Sequence, residues 1–173
     1  MTKKEIRNQM KQMREAMDAL TIEKENRVIF SKLDKDPDFK KASLVAIFYP
    51  MGNEVNLMKL VGQRRLAFPK IINQELHFIE YVPHQAFEKS AFGVMEPMEG
   101  DIVDLEIDYM IVPALAILKS GYRIGYGKGY YDQFLKRIRP HRAVGVIYGF
   151  QEIDSFEIAE HDQPLDAYYT GRL

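Results

Sequence analysis

Residues 121–132 are the part of the sequence whose residue types and spacing are best suited to chemistry. Glycines at positions 121, 125, 127 and 129 alternate there with basic and aromatic side chains. Glycine has no Cβ to obstruct a ligand, so successive backbone N–H groups can surround phosphate oxygens. Arg123 and Lys128 add positive charge, and a helix beginning just after the loop would point its positive end at the same place. The segment therefore predicts a loop that binds nucleotide phosphates.

This loop does not match the two standard glycine-rich motifs. A Walker P-loop ends in Gly-Lys-Ser/Thr, whereas Tyr122 stands here at the first glycine position and Gly129 follows the lysine. The Rossmann spacing also fails, because Tyr130 or Asp132 occupies the position of the third glycine. A tight connection between a strand and a helix is the alternative. The two basic residues and Asp132 favour phosphate binding over it.

Four other positions each have two interpretations. Asp132 is either a first-turn carboxylate that interacts with the helix dipole or a ligand to Mg²⁺ carried by the nucleotide. Glu54 follows a turn that ends a predicted strand, where a charged side chain usually faces solvent. It could instead accept hydrogen bonds from an amine-bearing heterocycle. Tyr130 and Tyr131 either pack into the core or stack on a planar ligand.

A row of basic residues follows helical spacing near the start of the chain. Apolar residues at 6, 10, 13, 17 and 20 recur every three or four positions, which predicts an amphipathic helix over 3–20. Lys3, Arg7, Lys11 and Arg14 lie on an adjoining face of that helix. From the pattern alone, this basic row is a solvated face.

Composition excludes several classes of function. The 173 residues include no cysteine, so thiolate chemistry and disulfides are absent, and the net charge of −1 gives no general attraction to nucleic acid. The four histidines show no metal-ligand spacing, and no G-x-S-x-G motif is present. The start of the chain lacks an apolar signal region, and the longest apolar run, 109–118, is too short to span a membrane. We expect no membrane or nucleic-acid partner and a cytoplasmic location.

The predicted elements alternate between strands and helices, which favours a mostly parallel sheet covered on both faces. Ligands of such sheets bind at the carboxyl ends of the strands. We expect 83–100 to be irregular and Thr21 to cap the second helix. The predicted helices are 3–20, 22–34, 56–64 and 128–138, and the predicted strands are 43–49, 66–70, 76–81, 109–114, 142–147 and a short one at 168–169.

The segment Arg123–Asp132 closely resembles the signature loop of the 5-formyltetrahydrofolate cyclo-ligase family, also called methenyltetrahydrofolate synthetases. The resemblance extends over nearly the whole chain. It includes Lys3–Arg7, Pro50–Asn56, Phe92–Pro97, Val112–Ala116, Gly145–Gln151 and His161–Asp166. Two departures from the family pattern, Ile6 and Gln133, affect nothing central.

The resemblance implies a three-layer α/β/α single domain over residues 1–173 with a mostly parallel central sheet. We expect a monomer. The resemblance also implies an ATP-driven ring closure with Mg²⁺ as cofactor. In that reaction 5-formyltetrahydrofolate becomes 5,10-methenyltetrahydrofolate, while ATP becomes ADP and phosphate. Phosphorylation of the formyl oxygen would activate the carbon for attack by N10 of the substrate.

The resemblance also assigns roles to individual residues. Arg123, Lys128 and Tyr130 would be catalytic, and Asp132 and Asp162 would hold Mg²⁺. The folate site would contain Tyr49, Glu54, Phe92, Tyr130 and Tyr131, with Glu54 as the polar anchor for the pterin. The nucleotide site would contain Lys3, Lys4, Glu5, Ile6, Arg7, Arg123, Ile124, Gly125, Tyr126, Gly127, Lys128, Gly129, Tyr130 and Tyr131.

Two alternatives stay open at this point. The chain could be a catalytically silent relative that binds ATP or a folate. It could also be an ATP-dependent enzyme that acts on another heterocycle, because the glycine loop describes the nucleotide and not the acceptor.

Overall fold

The computed structural model describes residues 1–173 and contains four α-helices and ten β-strands. The helices are α1 (Lys3–Glu15), α2 (Ala19–Asp34), α3 (Pro37–Lys41) and α4 (Tyr130–Arg137). The strands are β1 (Val45–Ala46), β2 (Leu66–Ile72), β3 (Glu75–Glu80), β4 (Phe87–Lys89), β5 (Met95–Pro97), β6 (Tyr109–Val112), β7 (Ala116–Ile117), β8 (Arg123–Ile124), β9 (Arg142–Ile147) and β10 (Ala167–Thr170).

Six strands form the central sheet in the order β10-β9-β6-β1-β2-β3. All neighbouring pairs are parallel except β2 and β3, which form a hairpin. Asn73 and Gln74 close that hairpin with positive φ angles of 50° and 66°, as its two-residue turn requires. The prediction of a mostly parallel sheet is confirmed. The chain leaves β1 toward β2 on one side and later returns to β6 on the other, so β1 and β6 flank the topological switch point.

Helices cover both faces of the sheet, which confirms the three-layer α/β/α architecture. On one face, Ile29 and Leu33 of α2 and Phe39 of α3 pack against the strands. On the opposite face, Phe134 and Leu135 of α4 pack against another set of buried strand residues. Helix α1 lies apart from both cores and packs on the small hairpin of β7 and β8. No helix combines the length and the apolar character needed to cross a membrane.

The first helix ends earlier than the apolar periodicity predicts. Thr2 caps α1 by accepting a hydrogen bond from the backbone N–H of Glu5. The helix stops at Glu15 because Asp18 takes an extended conformation and caps α2 by accepting from the N–H of Thr21. The predictions that the first helix reaches residue 20 and that Thr21 is a cap are therefore wrong. Asp18 starts the second helix four residues before Ile22.

Two further predictions of local structure are wrong. The predicted helix over 56–64 is only a 3₁₀ turn at Met58–Leu60, since Gly62 adopts a positive φ of 86° that ends helical geometry. Residues 83–100 are not wholly irregular, because β4 and β5 form an antiparallel hairpin within them. The hydroxyl of Ser90 shapes its tip by accepting from the N–H groups of Phe92 and Val94.

Candidate functional site

A cavity of about 350 Å³ opens at the carboxyl ends of β1, β2 and β6, next to the switch point of the sheet. The segment after β1, the β4–β5 hairpin, helix α1 and residues 161–162 supply its walls, and the glycine loop forms the remaining side. Tyr49 and Pro113 line it directly after β1 and β6. The cavity therefore lies where the strand order predicts a ligand site.

The cavity brings together most of the residues predicted from the sequence. Its lining includes every residue of Arg123–Asp132 and also Lys3, Arg7, Tyr49, Glu54, Phe92 and Asp162. Lys4, Glu5 and Ile6 do not line it. Lys4 and Glu5 are exposed, and Ile6 is buried among core residues of the β7–β8 hairpin. A nucleotide-binding role for these three residues stays a prediction that the cavity does not support.

The glycine loop adopts a backbone that requires glycine at three positions. Gly121, Gly127 and Gly129 have φ angles of 93°, 99° and 73°, which side-chain-bearing residues rarely adopt. Helix α4 begins immediately after Gly129, and the first residues of its opening turn, Tyr130 to Asp132, line the cavity. The unpaired N–H groups of a helix start favour an anion at this place.

Helix α1 is attached directly to this loop. The Nε of Arg7 donates to the backbone carbonyl oxygen of Gly125 at 2.9 Å. The guanidinium carbon of Arg7 also lies only 3.4 Å from where a Cβ on Gly127 would stand. Arg7 thus places a positive charge beside the loop.

Lys3 and Asp162 form an ion pair at the same end of the cavity. Lys3 Nζ lies 2.8 Å from Oδ2 of Asp162, whose side chain is 6% exposed. Burial by itself would raise the pKa of Asp162, but hydrogen bonds from Lys3 and from the N–H of Ala159 hold the pKa below its usual value. The second predicted metal ligand, Asp132, accepts from the N–H of Gln163 through Oδ1. Both carboxylates are therefore fixed beside the glycine loop.

Arg123 is buried in the cavity wall and has hydrogen-bonding capacity left over. One terminal nitrogen donates to the carbonyl oxygen of Pro113 at 3.0 Å, while the buried Nε has no partner. The guanidinium lies 5.2 Å from the ring centre of Tyr131. Burial lowers the pKa of Arg123, and the nearby carboxylate of Asp132 opposes this effect. A buried cation with an unpaired donor is suited to an anionic ligand.

Glu54 is buried, which contradicts the interpretation that it faces solvent. Its side chain turns inward, where Oε1 accepts from the N–H of Met51 and Oε2 from the hydroxyl of Tyr126, both at 2.7 Å. Burial raises the pKa of the Glu54 carboxyl, and the two hydrogen bonds partly offset this rise. The site therefore holds a desolvated acceptor group in a lining with many apolar residues.

Arg14 belongs to the same cluster, although sequence reasoning assigned it no role. Its Nη2 donates to the hydroxyl of Tyr126 at 2.7 Å, and the residue is only 8% exposed. The interpretation of the basic row as a solvated face is wrong for this residue, and Lys3 and Arg7 face the cavity. Lys11 is the exposed member of the row, and its Nζ lies over the ring of Tyr126. The helical spacing that Arg14 shares with Arg7 was the available signal.

Aromatic side chains form much of the opposite wall. Tyr49 and Phe92 belong to this wall. The Tyr49 ring packs 5.6 Å from that of Phe87, which is outside the lining, and the Phe92 ring at the hairpin tip lies 6.2 Å from that of Tyr130. Lys128 Nζ lies 5.3 Å from the centre of the Phe92 ring. The hairpin thus meets the glycine loop across the cavity, as expected for a planar-ligand site with a phosphate end.

Lys70 and Glu96 also line the cavity, and the sequence patterns assigned no role to Lys70. Lys70 Nζ donates to the carbonyl oxygen of Pro97 at 2.6 Å and lies 3.8 Å from Glu96. Glu96 in turn accepts from the N–H of Ile71 at 3.1 Å. These contacts fasten the β4–β5 hairpin to β2.

Comparison with known proteins places this architecture in one family. The model of the 5-formyltetrahydrofolate cyclo-ligase family matches residues 1–171. A 5-formyltetrahydrofolate cyclo-ligase of Mycoplasma pneumoniae is 31% identical over 168 residues, which covers 89% of this chain and 90% of that protein. The mouse (Mus musculus) protein of the same name is 24% identical over 184 residues, covering 95% of this chain and 91% of its own.

A solved structure shows the same fold. The NMR structure of 5,10-methenyltetrahydrofolate synthetase from Aquifex aeolicus superposes with a TM-score of 0.87 at 32% identity, covering 100% of this chain and 91% of that one. Both the sequence match over 171 residues and the structural match agree with the resemblance of the glycine loop. The chain belongs to the 5-formyltetrahydrofolate cyclo-ligase family.

Proposed function

We propose that this chain catalyses the ATP-dependent cyclisation of 5-formyltetrahydrofolate to 5,10-methenyltetrahydrofolate, with release of ADP and phosphate. One observation carries the proposal: a single cavity joins a basic glycine loop to a buried carboxylate and an aromatic wall. The loop suits the phosphates of ATP, and the carboxylate with its aromatic neighbours suits a flat, amine-bearing ring. Membership of the cyclo-ligase family supports the same pairing of ligands.

The reaction needs no nucleophile from the protein. A formyl amide is a poor electrophile because its nitrogen donates electrons into the carbonyl group. Transfer of the γ-phosphoryl group to the formyl oxygen breaks the bond to ADP and turns that oxygen into a leaving group. The substrate's N10 then attacks the formyl carbon and loses its proton, and phosphate departs with the carbon–oxygen bond pair. The protein positions two ligands and neutralises charge, which supplies much of the catalysis of phosphoryl transfer.

The phosphate end of the cavity supports specific roles for its cations. Lys3 and Arg7 would contact ATP phosphates from α1, and the N–H groups of the glycine loop would surround them. Arg123 has an unpaired buried Nε, so its guanidinium can donate to the phosphoryl group or to the formyl oxygen as charge develops. Lys128 is exposed beside Phe92 and would reach the phosphate at the cavity mouth.

The opposite end supports a pterin site. Glu54 would accept hydrogen bonds from the amine groups of the ring, and its burial excludes the water that would compete for them. Tyr49, Phe92, Tyr130 and Tyr131 would contact the ring or the formyl group. The meeting of Phe92 with Tyr130 supports a formyl group placed near the loop.

The side chains beside the loop fit a Mg²⁺ ion that arrives with ATP. Mg²⁺ in nucleotide enzymes is bound by one or two carboxylates together with phosphate oxygens and water. Asp132 and Asp162 supply two carboxylates in the cavity lining. No group of three or more acidic or histidine side chains forms a metal site, so phosphate oxygens and water would supply the remaining ligands. The ion would neutralise phosphate charge when bound.

The proposal also includes the domain organisation of the chain. The cavity draws its walls from residue 3 to residue 162, which supports residues 1–173 acting as a single domain. A monomeric state and a cytoplasmic location stay predictions.

One assay tests the function. The protein is mixed with 5-formyltetrahydrofolate, ATP and Mg²⁺, and the near-ultraviolet absorbance of the methenyl product is followed. We expect the methenyl product to form only when ATP is present, in an amount equal to that of the ADP released. Binding of both ligands without product would identify a silent relative. ADP release only with a different heterocycle would identify another substrate.

A further inference from the structure

Tyr126 connects the two ends of the cavity through one hydroxyl group. Its backbone lies in the glycine loop between Gly125 and Gly127, on the phosphate side. Its hydroxyl donates to Glu54 Oε2 at 2.7 Å, on the side of the aromatic wall. The same hydroxyl accepts from Arg14 Nη2 at 2.7 Å, so three side chains form one continuous hydrogen-bonded chain.

The chemistry of the three side chains determines which group donates each hydrogen bond in this network. Arg14 has only donors, so the Tyr126 oxygen must accept from it and can give its single proton to Glu54. Arg14 itself lies 4.0 Å from Glu54, too far for a hydrogen bond. Arg14 is therefore connected to Glu54 by hydrogen bonds only through the tyrosine, while its charge also acts on the carboxyl group directly.

Other contacts hold both ends of this hydrogen-bonded network, Arg14 and Glu54, in place. The carbonyl oxygen of Arg14 accepts from the side-chain amide of Asn53, the residue before Glu54, at 2.9 Å. The carbonyl oxygen of Asn53 accepts from the hydroxyl of Tyr148 at 2.7 Å. The end of α1 and the turn after β1 are thus joined, and the loop is tied to α1 by the bond from Arg7 to Gly125.

We propose that Tyr126 and Arg14 are positioning residues that hold the Glu54 carboxyl group oriented for the heterocycle, so that the glycine loop and the heterocycle site are built as one unit. This inference rests on the proposed function, because it takes Glu54 as the acceptor for the ring. The charged and titratable groups that face Glu54 are Arg14, Tyr126, Tyr131 and Tyr148. Of these, Tyr126 alone makes a side-chain hydrogen bond to it.

The test uses Tyr126→Phe, which removes one oxygen and keeps the ring over which Lys11 and Arg14 lie. We expect the KM for 5-formyltetrahydrofolate to rise about tenfold, as for loss of a hydrogen bond to a charged group, while kcat changes less than about twofold. Affinity for a non-hydrolysable ATP analogue alone should change less than about twofold. The matched control is Tyr168→Phe, which removes a 2.6 Å bond to Glu152 away from the cavity.

Two further variants separate positioning from a general loss of structure. In a Glu54→Gln background, Tyr126→Phe should add less than about twofold to the KM, because residues that act through one group are not additive. Arg14→Gln should raise the same KM, and Arg14→Lys should restore part of the loss, since an ammonium can still donate to the hydroxyl. Full additivity of Tyr126→Phe and Glu54→Gln would overturn the inference.

The proposed function and this inference fail in different ways. Wild-type protein without ATP-dependent product would refute the function before any variant is compared. An active wild type in which Tyr126→Phe behaves like Tyr168→Phe would refute the positioning role and leave the function intact. Equal loss of ATP and folate affinity in Tyr126→Phe would also contradict it, by indicating damage to the loop itself.

Discussion

Lys3 Nζ lies 2.8 Å from Oδ2 of Asp162, so a residue predicted to bind ATP is paired with a residue predicted to hold Mg²⁺. The two are 159 positions apart in sequence. Without a nucleotide, each partner neutralises the other. Binding of ATP with Mg²⁺ would give Lys3 a phosphate oxygen and Asp162 a cation, so both groups stay paired in either state.

The first prediction concerns Asp162, whose partner would change from Lys3 to Mg²⁺ when ATP binds. Asp162→Asn should leave the affinity for ATP in EDTA unchanged or severalfold tighter, because a negative charge near the phosphates is removed. The gain in affinity on adding Mg²⁺ should largely disappear. Titration calorimetry with ATP, with and without Mg²⁺, measures both effects. Asp166→Asn, at a carboxylate paired with Arg139 outside the cavity, is the control. Weaker binding of metal-free ATP would contradict the prediction.

Arg123→Ala should remove most activity while the fold survives. Loss of a charge-assisted contact that strengthens in the transition state costs about 2–4 kcal/mol, or on the order of a hundredfold in kcat/KM. Steady-state kinetics measure the loss, and circular dichroism checks the fold. Arg139→Ala, at a partly exposed arginine outside the cavity, is the matched control. An unchanged kcat/KM would make Arg123 a bystander charge.

Glu54→Gln should weaken use of 5-formyltetrahydrofolate and leave ATP binding nearly normal. The amide keeps the shape of the carboxylate and loses its charge, so amine donors of the ring are bound less well. Separate measurements of folate KM and of ATP affinity distinguish the two ends of the cavity. Loss of ATP binding alone would show that Glu54 belongs to the nucleotide side.

The same substitution should change how the stability of the folded protein depends on pH. Burial raises the folded-state pKa of Glu54. The stability linked to this group is therefore fully present below the unfolded-state pKa of 4.5 and falls as pH rises through the folded-state pKa. Glutamine avoids that loss, so the stability of the variant relative to wild type should be higher at pH 7 than at pH 4. Urea unfolding at the two pH values measures it. A relative stability that is equal at the two pH values, or higher at pH 4, would contradict this.

Asp36→Asn should destabilise the protein without touching the cavity. Burial alone would raise the pKa of Asp36, but hydrogen bonds from Tyr109, Tyr169 and Arg142 outweigh it and bring the pKa to about 2. The resulting stability is present above the unfolded value of 3.8 and is lost as pH falls toward 2. We expect a loss of about 2 kcal/mol at pH 7 that shrinks as the pH falls from about 4 toward 2.

Denaturant unfolding at pH 7 and at acidic pH tests the Asp36 prediction. Asp38→Asn, at the neighbouring carboxylate that lies 3.6 Å from Arg142, is the control and should change little. A difference between wild type and Asp36→Asn that stays constant with pH would show that the carboxylate charge contributes nothing.

Sequence reasoning located the glycine loop well because its features are local. Glycines that need positive φ, basic residues and a following helix start all lie within Gly121–Asp132, and every residue from Arg123 onward lines the cavity. The mostly parallel sheet could also be predicted from the sequence, because buried strands such as β6 and β9 appear as short apolar runs between helices.

The burial of polar residues could not be predicted from the sequence in the same way. Whether Glu54 and Arg14 face solvent depends on Tyr126, which lies 72 and 112 positions away from them. No local pattern carries such a contact. The end of α1 was misplaced for a related reason: apolar spacing continues through residue 20, but the Asp18 cap outweighs it.

The attachment of α1 to the far half of the chain has a consequence for biosynthesis. Helix α1 is synthesised before residues 125 and 162, so Arg7 and Lys3 meet their partners only when Gly125 and Asp162 have been made. A nascent chain stalled before Asp162 lacks one partner of the Lys3 pair, whatever part of the sheet has already formed. Under the proposed function, we therefore expect ATP to protect against proteolysis only in chains that contain both residue 3 and residue 162.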